Sequence, residues 1–255
     1  MPALSNTLDQ PVVSQTSPPD FSASLVQRVR SLIGRGQINA ASLLLPTLQK
    51  LCPDHADIAL IKLEIALARG NLADAKSAID QGLTESPNSA PLLVLRARLN
   101  FQNRDMVGAA LAAADAVIAD PTNPSAKSVL GQALLELGQT EQAAICLRDA
   151  LADMPTDMSS LTALTRAAPA DAVAMIRAAI AAGSDNAGMR NALIGALLEA
   201  SDTDAADIEI RAMTVGGLAN AQTGILAIQS AVKSGRWTEA TELFGKSTAH
   251  LPRHA

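Results

Sequence analysis

Few residues in this chain have the types and spacing that chemistry requires. Histidine occurs at His55, His250 and His254 alone, one beside a proline turn and two at the C-terminal end. No HExxH helix and no GxSxG elbow is present, so neither a zinc hydrolase nor a serine hydrolase is marked. Cys52 lies near His55, but a proline-containing turn without a third orienting group is a poor nucleophile site. Cys52 and Cys146 form no CxxC pair and are read as small buried thiols, as suits a reducing compartment. Gly34-Arg35-Gly36 lacks the phosphate-binding lysine and the dinucleotide-loop spacing and is read as a helix terminator, as is Val215-Gly216-Gly217-Leu218. Asp202, Asp204, Asp207 and Glu209 are the densest acidic cluster, with Glu199 before them. No calcium-loop glycine follows, and acids favour the first turn of a helix, so the cluster reads as a solvated helix start near Thr203. The expectation is no catalytic centre, no metal and no cofactor.

Composition points to what must position any site. The chain has 255 residues, 48% hydrophobic and only 2% aromatic. About a fifth is alanine, so helix propensity dominates and an all-β fold is disfavoured. A net charge of −5, with four aromatic residues in all, opposes nucleic-acid binding, which needs a basic stripe and stacking rings. No run of apolar residues is long enough to span a bilayer, the N-terminal stretch lacks the pattern of a secretory signal, and the cytoplasm is the expected location. Residues 1–20, rich in Pro, Ser and Thr, are expected to be a disordered tail.

The organising signal is a period. Pro53, Pro87, Pro121 and Pro155 are each 34 residues apart, as are Ala41, Ala75, Ala109 and Ala143. Gly36, Gly70 and Gly138 keep the same spacing, with Arg104 in the vacant slot. Four residues after the alanines stand Leu45, Ile79, Ala113 and Leu147. Ala172, Ala206 and Ala240 resume the period, followed by Ile176, Ile210 and Phe244, with Gly235 and Pro252 at the end. The step from Ala143 to Ala172 is 29, about five residues short. Each period reads as two amphipathic helices: Ser125–Leu137, a stop at Gly138, then a second helix from Gln139-Thr140 that ends before Pro155. The small alanine lets paired helices approach, and the proline punctuates the units.

These glycine, alanine, large-apolar and proline columns resemble the tetratricopeptide repeat family, best over Leu130–Pro155 and Ser234–Phe244. The resemblance covers residues 22–255 as seven units, near 22–55, 56–89, 90–123, 124–157, 158–186, 187–220 and 221–254. The fifth and sixth are degenerate, with Ser184 and Leu218 where the terminal proline belongs. The expected fold is an all-α solenoid, and the resemblance implies a right-handed superhelix whose first helices line a concave groove. The organisation expected is a tail over 1–20, four units over 21–157 and three over 158–255, with a bend near Pro155–Pro169. Pro46 is expected to kink its helix.

By resemblance, Val26, Arg30, Leu60, Ile61, Glu64, Val94, Arg98, Phe101, Ser128 and Gln132 face the groove. Glu64 interrupts Arg30 and Arg98, which opposes the carboxylate-holding set of some family members; the three either contact a ligand or pair with one another. Arg28, Lys62 and Arg96 form a ladder of the same period, either a strip facing a ligand or long stems laid on apolar surface. No capping helix is expected after the last pair. The function expected is a non-catalytic scaffold binding another protein; self-assembly through the C-terminal unit, or service as a recruiting subunit of a separate enzyme such as a transferase, are the alternatives.

Overall fold

The computed structural model describes residues 21–51 and 57–248. Cys52, Pro53, His55, His250, Pro252, His254 and the tail over 1–20 lie outside them. Among the described residues there are fourteen helices and no strand, and the fold is an all-α solenoid of helical repeats. The chain divides into two compact units, Met1–Gly82 and Leu83–Ala255.

The first unit holds α1 (Phe21–Gly34), α2 (Ile38–Leu51), α3 (Asp57–Ala68) and most of α4 (Leu72–Glu85). Its core joins Val26 and Val29 of α1, Ala41 and Leu48 of α2, and Ile61 and Ile65 of α3. Helix α2 continues through Pro46.

The second unit holds five pairs: α5 (Ala90–Gln102) with α6 (Met106–Ala119), α7 (Pro124–Glu136) with α8 (Thr140–Asp153), α9 (Met158–Ala167) with α10 (Pro169–Ala181), α11 (Ala187–Glu199) with α12 (Thr203–Val215), and α13 (Ala221–Lys233) with α14 (Trp237–Thr248). The alanine column sits where paired helices cross, and Ala109, Ala143, Ala172 and Ala206 are fully buried. One apolar core runs from Ala144 and Leu147 through Leu161, Leu164 and Ile176 to Leu193 and Leu226. It passes unbroken across 155–169.

The five missing residues are all in one place. Helix α9 has 10 residues where α7 has 13. Leu137-Gly138-Gln139 separates α7 from α8, whereas Ala168 alone separates α9 from α10, closing one helix and opening the next.

Whereas Ala168 turns α9 into α10 at φ −149°, chain reversal inside the other pairs uses one residue with positive φ. Gly138 supplies it at 79°, its amide donating to Leu135 O at 3.0 Å and the Gln139 amide to Leu134 O at 2.9 Å. These paired bonds satisfy the last carbonyls of α7. Arg104 and Ser201 occupy the same slot at φ 63° and 62°, where a side chain is disfavoured. Arg104→Gly is therefore expected to stabilise the protein by about 1 kcal/mol, read as a higher urea midpoint. Between units, the prolines of the early repeats give way to Gly183 at φ 105° and Gly217 at 69°. The units without a terminal proline thus end on a left-handed glycine instead, and the amides of Ser184 and Leu218 close them on Ala179 O and Met213 O.

Six helices of the second unit share one kind of start, whereas α5, α8 and α10 begin without a side-chain cap. Asp105, Asn123, Asp157, Asn186, Asp202 and Asn220 each accept a hydrogen bond from the third amide of the helix that follows. No helix among the described residues is long and apolar enough to cross a membrane.

Candidate functional site

Successive first helices of the second unit, α5, α7, α9, α11 and α13, neighbour one another. Two clefts open along this row. The first, about 370 Å³, is lined by Arg98 and Phe101 of α5, Ser128, Val129 and Gln132 of α7, and Asp157 and Ser159 at the start of α9. It therefore gathers four residues expected at the groove: Arg98, Phe101, Ser128 and Gln132.

Its floor is a polar network. The Ser128 and Ser160 hydroxyls lie 2.7 Å apart and both are buried. Ser160 Oγ donates to Asp157 Oδ2 at 2.6 Å, the Ser160 amide at 3.2 Å and Ser128 Oγ at 3.3 Å. Ser159 Oγ donates to the same carboxylate, and Gln132 Nε2 bridges Ser128 Oγ at 3.0 Å and Ser159 Oγ at 3.3 Å. Burial pushes the Asp157 carboxyl upward, but donation from Ser160, Ser159 and Ser128 outweighs it and holds the pKa below the usual carboxylate value. No nucleophile–base pair exists here: the hydroxyls are spent on a carboxylate that caps a helix.

The same device recurs one joint further on. Thr223 Oγ1 donates to Asn191 Oδ1 at 2.9 Å, and Asn191 Nδ2 donates to Asn220 Oδ1 at 3.1 Å. In both cases the fifth residue of one first helix, Ser128 or Asn191, grips the cap and third residue of the next. At the remaining described joints the fifth residue is apolar or surface-exposed. Ile61 of α3 and Val94 of α5 hold that position and are buried. These two expected groove residues are core residues, because the fifth position points at a neighbouring helix rather than outward.

The second cleft, about 500 Å³, is lined by α9, α11 and α13 and was not singled out in the sequence. It carries no charged side chain. Thr162 and Thr165 donate to Met158 O and Leu161 O of their own helix at 2.7 and 2.8 Å, which turns their methyl groups outward. Asn191 is held as above, and Gly188 and Gly195, two turns apart on α11, leave the wall low. The signal was available: Gly195 occupies the register of Gln132 in the first cleft.

In the first unit, Val26 is buried, Arg30 is exposed, and Leu60 and Glu64 are half-buried. Neither Glu64 nor Arg98 forms a salt bridge among the described residues. Lys62 Nζ donates to Gln81 Oε1 of α4 at 3.0 Å, and Lys62 lines a cleft together with Leu45 and Ala78.

The acidic cluster divides. Asp202 caps α12, which begins at Thr203 as expected. Asp207 and Glu209 are paired rather than solvated: Asp207 meets Arg236 at 2.7 Å and Glu209 meets Arg190 at 3.2 Å. Among the described residues no group of three His, Cys, Asp or Glu side chains is placed to hold a metal ion.

A family model described as Tetratricopeptide repeat matches residues 62–124. No curated protein gives a significant match. A tetratricopeptide repeat protein from Parabacteroides merdae is similar in structure, with 12% identity over 91% of this chain and 94% of that one and a TM-score of 0.62. PilW, a type IV pilus biogenesis factor, is 18% identical over 93% of this chain and 96% of its own, with a TM-score of 0.60. PilF of Pseudomonas aeruginosa is 19% identical over 78% and 93%, with a TM-score of 0.57. At these identities the likeness is one of fold. The family model lies on the same 34-residue columns that continue through the helix pairs to Ala240, so residues 62–124 match the tetratricopeptide repeat model and the rest of the chain shares its helical-repeat fold.

Proposed function

We propose that this protein is a non-catalytic scaffold that binds a segment of another protein along the first-helix row of its second unit. The observation that carries the reading is the cleft where Arg98, Phe101 and Gln132 meet above the Asp157 network. A charged rim group, a half-buried aromatic ring and an amide around a concave floor suit an extended or helical segment: the ring anchors and the polar groups set register. The second cleft extends the same row with an uncharged wall that suits aliphatic side chains. Proteins of this family are generally non-catalytic, and the serines here are engaged in packing the joint. Cys146 is half-buried, and burial and the nearby Asp149 raise its thiol pKa, which fits an inert residue in a reducing, cytoplasmic setting.

The test is site-specific photocrosslinking in cells, with the crosslinking side chain placed at Gln102 on the cleft rim or at Arg177 on the exposed side of α10. A protein adduct from position 102 that Arg98→Glu with Phe101→Ala reduces about tenfold supports the reading. Adducts of equal strength from both positions, unaffected by that variant, would remove it. Self-assembly through the last pair is a second reading, favoured by Phe244: its column is fully buried at Leu147 and Ile176, yet Phe244 is 61% exposed. Sedimentation over a concentration range separates the two.

A further inference from the structure

Helix α6, MVGAALAAADAVIA, has one charged residue, Asp115, in its whole length. Its inner face, Ala109, Ala112, Ala113 and Ala116, is buried. Its outer face is also apolar: Val107 is 58% exposed, Leu111 64% and Ile118 78%, at the four- and seven-residue steps that form one stripe. A helix that is apolar all round belongs in an interior, and this one has solvent on one side. The fold does not require these side chains, because α10 places Ala170, Ala174 and Ala181 at the same three register positions. On α8, Ile145, 51% exposed, holds the register position of Leu111 one repeat on.

Around this stripe the acids are unpaired among the described residues, whereas Arg148, three residues after Ile145 on the same exposed face of α8, is held by Asp171. Asp115 stands within the stripe, a turn from both Leu111 and Ile118, and Asp149 holds the same place on α8, a turn after Ile145. Glu141 takes the register of Val107. None of these three acids forms an ion pair among the described residues, whereas Glu136 and Asp171 of the same region are held by Arg166 and Arg148.

We infer that the outer face of α6 and α8 is a second docking surface, and that its occupant is a basic amphipathic helix of a partner protein. Its aliphatic stripe would cover Leu111, Ile118 and Ile145, and its flanking Lys or Arg residues would meet Asp115, Glu141 and Asp149. This surface lies on the second helices and does not depend on the cleft between first helices.

Two synthetic helical peptides with the same leucine stripe, one otherwise lysine and one otherwise glutamate, test it by fluorescence anisotropy on the full chain. The lysine peptide is expected to bind and the glutamate peptide not. Leu111→Ser with Ile145→Ser should weaken the lysine peptide about tenfold or more, and raised salt should weaken it further. Asp115→Lys with Asp149→Lys should reverse the preference between the peptides. Thermal melts by circular dichroism confirm that each variant keeps its fold, and Ile118→Ser replaces Leu111→Ser if one does not. Equal binding of the lysine peptide by the serine variant would reduce the effect to adsorption on an acidic protein and overturn the inference. So would absence of binding. Self-association that Leu111→Ser dissolves would make the occupant a second copy of this chain, and would likewise overturn it.

Discussion

Leu147→Ala lowers the free energy of unfolding by about 2–5 kcal/mol, read from urea titrations followed by circular dichroism. Leu147 is fully buried in the core of the second unit. It fills a wall that is bare on the facing helix: a Cβ built on Gly131 would stand 2.6 Å from Leu147 Cγ, 3.0 Å from its Cδ2 and 3.1 Å from the Ala143 carbonyl oxygen. The atom in the way is the branch point of the leucine, and behind it is backbone, so neither yields cheaply. Gly131→Ala would gain about 1 kcal/mol of helix propensity. The overlap costs about 1–3 kcal/mol, and the net expectation is destabilisation. The two substitutions should not add. With Leu147 truncated, the new methyl group enters the space left behind, and the double variant should be more stable than the sum by about 1 kcal/mol or more. Gly195→Ala is the control: nothing lies within 4 Å of its added Cβ, and it should stabilise α11 by about 0.5–1 kcal/mol. A Gly131→Ala protein more stable than wild type would show that the close approach of α7 and α8 relaxes freely.

How legible each feature was in the sequence follows from how local its cause is. The alanine and glycine columns repeat because the units meet the same steric demands: a small residue where helices cross and, except between α9 and α10, where Ala168 turns the chain at φ −149°, a left-handed residue at the turn. Arg104 and Ser201 show that the demand is for a conformation rather than a residue type, since both adopt positive φ without being glycine. The apparent degeneracy of the fifth and sixth units had a readable explanation, because Gly183 and Gly217 are themselves 34 residues apart. What resisted reading was non-local. Asp207 and Glu209 looked like solvated acids because their partners, Arg236 and Arg190, are 29 and 19 residues away. The Ser128–Asp157–Ser160 network spans 29 to 32 residues, and a serine in a helix carries no pattern of its own. Ile61 and Val94 were placed at the groove by resemblance, but a one-position rotation about a helix separates groove from joint. The first cleft was partly legible because Arg98 and Gln132 share a register that does face outward.

Asp157 is the residue at which stability and the candidate binding cleft meet, and its removal has the second large expected effect. Asp157→Ala deletes the N-cap of α9, a loss of about 0.5–2 kcal/mol. It also withdraws the charged acceptor of the buried Ser160 hydroxyl, worth about 1.5–3 kcal/mol. A loss of about 2–4 kcal/mol at pH 7 is expected. Asp157→Asn keeps a capping oxygen and should lose less. The two differ further in acid. The folded pKa of Asp157 lies below its unfolded value, about 3.9, so the carboxylate's contribution is fully present above that value. It is lost as pH falls through the lower, folded value, where the native state must finally take up the proton. Wild type should therefore exceed Asp157→Asn in urea midpoint at neutral pH, and the gap should shrink as pH falls below about 3.9. A gap that stays constant into acid would mean that the carboxylate charge contributes nothing to the joint. If the network also shapes the cleft, Asp157→Asn should leave photocrosslinking from position 102 near wild type while Asp157→Ala weakens it. The asparagine can still accept from the Ser160 amide and hold the start of α9 against α7, and the alanine can do neither.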